Sequence, residues 1–243
     1  MKSLRALLTV AVMLFGAVSA HAQAVSGQGT WETTLQARDV GNTGTTNAFY
    51  DTALNITWLR DANVNRGNGN NIPNVSYIPD GLMTLASAST WANQLTIGGV
   101  GGWRLPTMTN SVSDCYGVHF SGAACSVSAL TAAGEMPHLF YATLGNIAGH
   151  DSNGNILPGG YGLTNTGNFQ NLLNYTYWSG TAISNGAWVF YNGGGETYSY
   201  SNGDAYFYAM AVHSGDVGTV VASVPEPETY AMLLGDVPFV VEG

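Results

Sequence analysis

Apolar and polar residues alternate through Leu54, Asn55, Ile56, Thr57, Trp58 and Leu59, the pattern of a strand with one face in a core. A shorter strand is predicted at 30–35, anchored by Trp31 and Leu35. The period then changes. Leu85, Ala88, Trp91, Ala92 and Leu95 fall on one face of a helix, Thr84 or Ser87 supplies a capping hydroxyl, and the glycine pairs 98–99 and 101–102 end it. A second helix is predicted over 135–144, with Met136, Leu139, Phe140 and Leu144 as its buried stripe and Gly145 and Asn146 as its stop. Strand patterns return at 175–181, 187–191, 197–200 and 206–212, with turn signals at 193–195 and at Asn202-Gly203. A strand, two helices and then an antiparallel meander is an α+β order, not a βαβ repeat.

The ends of the chain change the picture. Residues 1–22 hold basic Lys2 and Arg5, an apolar run over 6–18, and small residues at Ala20 and Ala22. That run falls short of the roughly 20 apolar residues of a membrane span, so it reads as a signal peptide cut after Ala22, with Ala24 as second choice. Lys2 is the only lysine. Beyond residue 22 the fixed cations are Arg38, Arg60, Arg66 and Arg104, against fifteen Asp and Glu in the whole chain. So few cations cannot neutralise a run of phosphates, which excludes nucleic acid as a main partner and argues against anionic membranes and heavily sulfated glycans. Residues 23–47 are polar and rich in Gly and Thr, and read as an entry segment ahead of a domain over 48–216.

Two cysteines, Cys115 and Cys125, enclose a short loop. In an oxidising compartment such a pair predicts a disulfide worth roughly 2–3 kcal/mol. The weaker alternative is a metal site with His119. Residues 61–67 begin like a calcium loop, with oxygen side chains at Asp61, Asn63 and Asn65. The glycine comes one place late, however, and Ile72 stands where the closing Glu belongs. Asp151, Asn153 and Asn155 have the same partial character, and each stretch is more often a solvated turn. His119, His138, His150 and His213 show no zinc spacing, and Ser179 lacks a nucleophile elbow. Arg104, between Trp103 and Leu105, reads as a structural ion pair with Asp51 or Asp61 in preference to a ligand contact. Trp178, Trp188, Tyr191, Tyr198, Tyr200, Tyr206 and Tyr208 lie on strand patterns, so about half of them point inward. Tyr198, Tyr200 and Trp188 are the candidate ligand face, because aromatic rings with polar edges suit sugars.

The ordered series Asp51, 54–59, Trp91-Ala92, 102–107, 135–141, 162–167, 177–181, Ala187-Trp188 and 208–212 resembles the Lcl C-terminal-like domain family of bacteria. That resemblance spans 48–216 and implies a C-type-lectin-like fold. In such folds the first and last strands pair, two helices flank the sheet, and long loops form one face. Members usually carry an Arg where this chain has His213. Over 217–243 the chain resembles a linker and a PEP-CTERM sorting tail. Pro225, Glu226 and Pro227 lead into a short apolar run, but Asp236 and Glu242 follow and no arginine does. The resemblance implies an exosortase-type processing enzyme as partner, while the altered tail argues against a stable membrane span. The expectation is an exported, non-catalytic protein of the periplasm, outer surface or extracellular matrix of a Gram-negative bacterium. It would bind glycan or another exopolysaccharide component without an obligate cofactor. The alternatives are a structural matrix protein without a ligand and, third, a secreted hydrolase.

Overall fold

Residue 57 is one place where the fold departs from the simple pattern. β3 (Ile56–Leu59) is buried on both faces. Its polar member, Thr57, is accommodated because its hydroxyl donates to the Gly215 carbonyl (2.8 Å). Before it, Asp51 accepts the Ala53 and Leu54 amides and so shapes the turn out of β2 (Ala48–Asp51), with Asn55 in the left-handed region (φ 53°). The computed structural model describes residues 23–64, 66, 80–109, 114–116 and 125–221. The export segment, Asn65, Ile72, His119 and the motif Pro225, Glu226, Pro227 lie outside the described residues.

Residues 30–35 differ from expectation. A single helical turn, α1 (Trp31–Thr34), forms there, because the Thr33 and Thr34 amides both return to the Thr30 carbonyl. The strand begins only afterwards, as β1 (Leu35–Asp39), which pairs antiparallel with β2. The segment 23–47 is therefore part of the body of the fold. Residue 216 does not end that body either, since β9 (Thr219–Val220) pairs with β1.

α2 (Leu85–Gln94) forms where the period placed it. Thr84 Oγ1 accepts the Ser87 amide, and Ala88, Trp91 and Ala92 are buried. β4 (Trp103–Arg104) follows, then the short α3 (Val127–Thr131). The second expected helix is divided. α4 (Glu135–His138) runs into one π turn (Leu139–Thr143), closed by the Leu144 amide on the Leu139 carbonyl (2.8 Å). Pro137 is tolerated because it occupies the first turn, where its missing N–H has no intrahelical acceptor. The wider turn buries Leu139, Phe140 and Tyr141 together.

β5 (Thr176–Ile183), β6 (Gly186–Tyr191) and β7 (Glu196–Tyr200) form a three-stranded antiparallel sheet. The turn at 193–195 joins β6 to β7. Gly195 has φ +66° and lies so close to Phe140 that a Cβ there would meet the ring at 2.6 Å. The expected strand at 206–212 is shared between two sheets. Phe207 bridges to Met83 and Tyr208 to Tyr177, and only then does β8 (Val212–Ser214) enter the other sheet. That sheet has six strands in the order β4-β8-β3-β2-β1-β9, with every pairing antiparallel. The protein is thus a mixed α+β fold with short helices and two antiparallel sheets. No helix among the described residues is long and apolar enough to cross a membrane.

Trp58, Trp91, Trp103 and Trp178 are wholly buried. Trp58 packs with Phe49 and Phe169, edge-on to the latter, in a cluster that also holds Phe140, Phe190 and the cysteines. The other three fill a second cluster beneath α2 with Met83, Leu95 and Val189.

The loop from β1 to β2 hangs on Asp39. Its carboxylate accepts the Thr43 amide (2.7 Å), the Thr43 hydroxyl (2.8 Å) and the Gly44 amide (2.6 Å). These bonds, the Thr43 amide foremost, hold its pKa below the usual carboxylate value. A depressed folded pKa gives stability that is full above the unfolded value of about 3.9 and is lost as pH falls through the folded value. We expect the melting temperature, followed by circular dichroism, to drop below about pH 4. Asp39→Asn should lower it at neutral pH and flatten the acid slope; an unchanged slope would contradict this role.

Candidate functional site: a tyrosine platform

Register decides which aromatic rings share a face. Thr176 pairs with Tyr191, Trp178 with Val189, and Val189 with Tyr198, so Thr176, Tyr191 and Tyr198 project to one side. The Tyr198 hydroxyl bonds Thr176 Oγ1 (3.1 Å). Burial pushes its pKa up to about 12. Above it lies Tyr116, with ring centroids 4.4 Å apart, and Tyr116 also stands edge-on to Tyr191 at 6.4 Å.

Tyr116 is held there by its neighbour. The Cys115 amide donates to the Thr197 carbonyl of β7 (2.8 Å), and Cys115 is joined to Cys125 by a disulfide. Tyr116 remains 44% exposed, Tyr161 44% and Tyr175 48%. Tyr191 lies among them. Its pKa is raised by burial first, then by the Glu196 charge, and then by Tyr116, Tyr161 and Tyr175. Tyr175 in turn meets Tyr208 edge-on at 5.4 Å.

The underside of this platform is fixed by charge and backbone bonds. His150 Nδ1 lies 2.8 Å from Glu196 Oε1, an ion pair when the imidazole is protonated. The Gly149 amide donates to the Gly194 carbonyl (2.7 Å), and the Tyr141 hydroxyl donates to the Gly195 carbonyl. Burial, reinforced by the Glu196 charge, raises the Tyr141 pKa. The loop carrying Tyr161 is thereby laid against the β6–β7 turn, where a Cβ on Gly149 would meet the Tyr161 ring at 3.3 Å.

Several candidate residues stand elsewhere than the sequence suggested. Tyr200 is half-buried against Trp178 and Phe207, with ring centroids 6.3 and 5.0 Å away, so it supports the core. Trp188 faces the opposite side of β6 and packs on Met108 and Ala133. Tyr198 belongs to the platform as its base. Among the described residues the exposed tyrosines are Tyr116, Tyr161, Tyr175 and Tyr206, all outside the regular strands.

Arg104 does not pair with Asp51 or Asp61. Its Nη1 and Nη2 donate to Glu135 Oε2 (2.8 Å) and Oε1 (2.7 Å), tying β4 to the first turn of α4. Glu135 Oε2 also accepts the Thr107 amide (2.7 Å). Asp51 is consumed by its own turn and by the Trp58 indole N–H (3.4 Å), while Asp61 Oδ1 accepts the Asn63 amide and the Asn171 side chain (both 2.9 Å). His213 meets the Trp103 ring edge-on at 5.6 Å and makes no ion pair with Asp61.

The partial calcium loops form local turns. Asp151 accepts the Asn153 amide, the Asn155 amide and the Asn155 side chain (2.8–2.9 Å). Asn63 is buried and donates to the Asp80 carbonyl (3.0 Å). Among the described residues, no three His, Cys, Asp or Glu side chains group as metal ligands. Ser179 is buried and donates to the Trp188 carbonyl (2.6 Å).

Compared with protein-family models, curated proteins and solved structures, the chain matches nothing.

Two expectations follow. Glu135→Ala removes both charge-assisted bonds to Arg104 and the Thr107 cap; we expect a loss of about 2 kcal/mol in denaturant unfolding, and a loss near zero would show the pair to be idle. In an ultraviolet phenolate titration, Tyr198 should ionise near pH 12, after the exposed phenols, and Tyr198→Phe should remove one phenol from that late phase. Because its folded pKa is raised, its contribution to stability is full below about pH 10 and is lost as pH rises through about 12. Early ionisation of Tyr198 would place it on the surface.

Proposed function

We propose that the chain is an exported, non-catalytic domain of C-type-lectin-like type that binds glycan in the envelope or extracellular matrix of a Gram-negative bacterium. The observation that carries this reading is the exposed Tyr116 ring stacked on Tyr198 and edge-on to Tyr191, with exposed Tyr161 and Tyr175 near enough to Tyr191 to influence it electrostatically. Phenol faces cover the apolar faces of sugar rings, and phenol hydroxyls bond their edges. Cations are scarce throughout the chain, which favours neutral or weakly charged glycan over sulfated polymer. The first and last described strands, β1 and β9, pair with each other, as the resemblance to the Lcl C-terminal-like family leads one to expect. A disulfide suits an oxidising compartment. The export segment and the sorting tail with its exosortase-type partner belong to the same proposal.

The test is a glycan array run with and without calcium, followed by titration of the best ligand. Tyr116→Ala and Tyr191→Ala should each weaken binding by about fivefold, near 1 kcal/mol, with the fold intact. Tyr200→Ala should instead lower thermal stability, because its ring packs on Trp178 and Phe207. Unchanged affinity in the folded Tyr116/Tyr191 double variant would reject the platform.

A further inference from the structure

The tyrosine platform stands over a carboxylate. Register pairs Tyr191 with Glu196, so the two side chains leave the sheet on the face that also carries Thr176 and Tyr198. Both curl back over the turn at 193–195. A Cβ on Gly193 would run into the Tyr191 ring, and one on Gly194 would meet Glu196 Cδ at 2.6 Å. The Glu196 side chain is only 5% exposed, yet its charge acts on three phenols and raises the pKa values of Tyr191, Tyr198 and Tyr141. No arginine among the described residues figures with it at Tyr191 or Tyr198, whereas Arg66 acts on Tyr208. His150 Nδ1 lies 2.8 Å from Glu196 Oε1 and offsets its charge only while the imidazole is protonated.

A cluster of phenol rings and a carboxylate beneath it attract the same kind of ligand. The ring faces are the negative parts of an aromatic group, and a cation gains from them within about 6 Å of a centroid. A carboxylate in a region of low dielectric acts over a longer range than one in water. A carboxylated or sulfated sugar is repelled by both. A neutral sugar gains stacking alone. A sugar that carries an ammonium group gains stacking through its ring and attraction through its charge.

We infer that the platform selects amino sugars, with the sugar ring on exposed Tyr116 and the ammonium group towards Tyr191 and the Glu196 carboxylate. This inference rests on the reading of the tyrosines as a glycan site and narrows it to one class of sugar.

The test titrates the protein with three glucosamine tetrasaccharides of one backbone. The first is N-acetylated and neutral, the second N,N,N-trimethylated and permanently positive, the third N-succinylated and negative. Calorimetry is run at about pH 8, above the ordinary imidazole range. The trimethylated form should bind at least about fivefold more tightly than the acetylated one, and the succinylated form more weakly than either. Glu196→Gln keeps the side-chain shape and removes the charge. It should shrink the ratio of trimethylated to acetylated affinity by at least about threefold. Asp204→Asn removes an exposed charge instead and should leave that ratio as it is in the parent. If Glu196→Gln fails to fold, the three ligands on the parent protein decide the matter. Equal affinity for the positive and neutral forms would overturn the inference and leave the glycan reading standing. So would a ratio unchanged in folded Glu196→Gln, or one that falls as far in Asp204→Asn. Failure of all three forms to bind would also overturn it, and the glycan array alone then decides the wider reading.

Discussion

Burying an indole ring obliges the fold to find a partner for its N–H, and that obligation organises this molecule. Trp178 donates to the Met83 carbonyl, Trp103 to the Val100 carbonyl, and Trp58 towards the Asp51 carboxylate. The Trp178 bond ties β5 to the distant approach to α2, while those of Trp103 and Trp58 fix the turns just before their own strands. Met83 bridges to Phe207 as well, so the approach to α2 is fastened to the three-stranded sheet. Trp91 is the exception, with a buried N–H that finds no acceptor among the described residues. Its large apolar face, packed between α2 and the second cluster, outweighs that one lost bond.

The platform depends on the same rigidity. The exposed rings do not sit on regular strands, where alternation alone would aim them. They come from 116, 161 and 175, segments held by the Cys115–Thr197 bond, the Gly149–Gly194 bond and the start of β5. The strands contribute the support: Thr176, Tyr198 and the half-buried Tyr191. A face made from loops but backed by a sheet keeps its rings at fixed separations, which on the proposed reading lowers the entropy lost when a ligand settles on them.

The sequence made some of this legible, and physics explains the remainder. α2 was readable because one period, one capping hydroxyl and a glycine stop all agree. The meander was readable through residue 200 for similar reasons. The strand expected at 30–35 became a helical turn because two amides share one carbonyl, a local choice that hydropathy does not encode. The run 206–212 looked continuous but is divided between two sheets. Partner choice was equally hidden. Asp51 and Asp61 were available carboxylates in the right part of the chain, yet both are spent on neighbouring amides, and Glu135 reaches Arg104 only because α4 starts beside β4. The register places Tyr191, Tyr198 and Tyr200 on one face of the sheet and Tyr177 on the other. It does not reveal that Phe207 and Trp178 cover Tyr200. A cysteine next to Tyr116 was the one available sign that this ring would be pinned in place.

The margins of the two sheets have a consequence for life among many copies. An uncovered strand edge invites pairing with another chain, and crowding multiplies the opportunity. Here the six-stranded sheet ends in two-residue strands on both sides, too short to template an addition. The outer side of β7 is met by the Cys115 amide, so the disulfide-bound segment stands where an invading strand would have to lie. The same cross-link that presents Tyr116 thus guards the molecule against self-polymerisation. Opening it would uncover the outer side of β7 as well as release Tyr116.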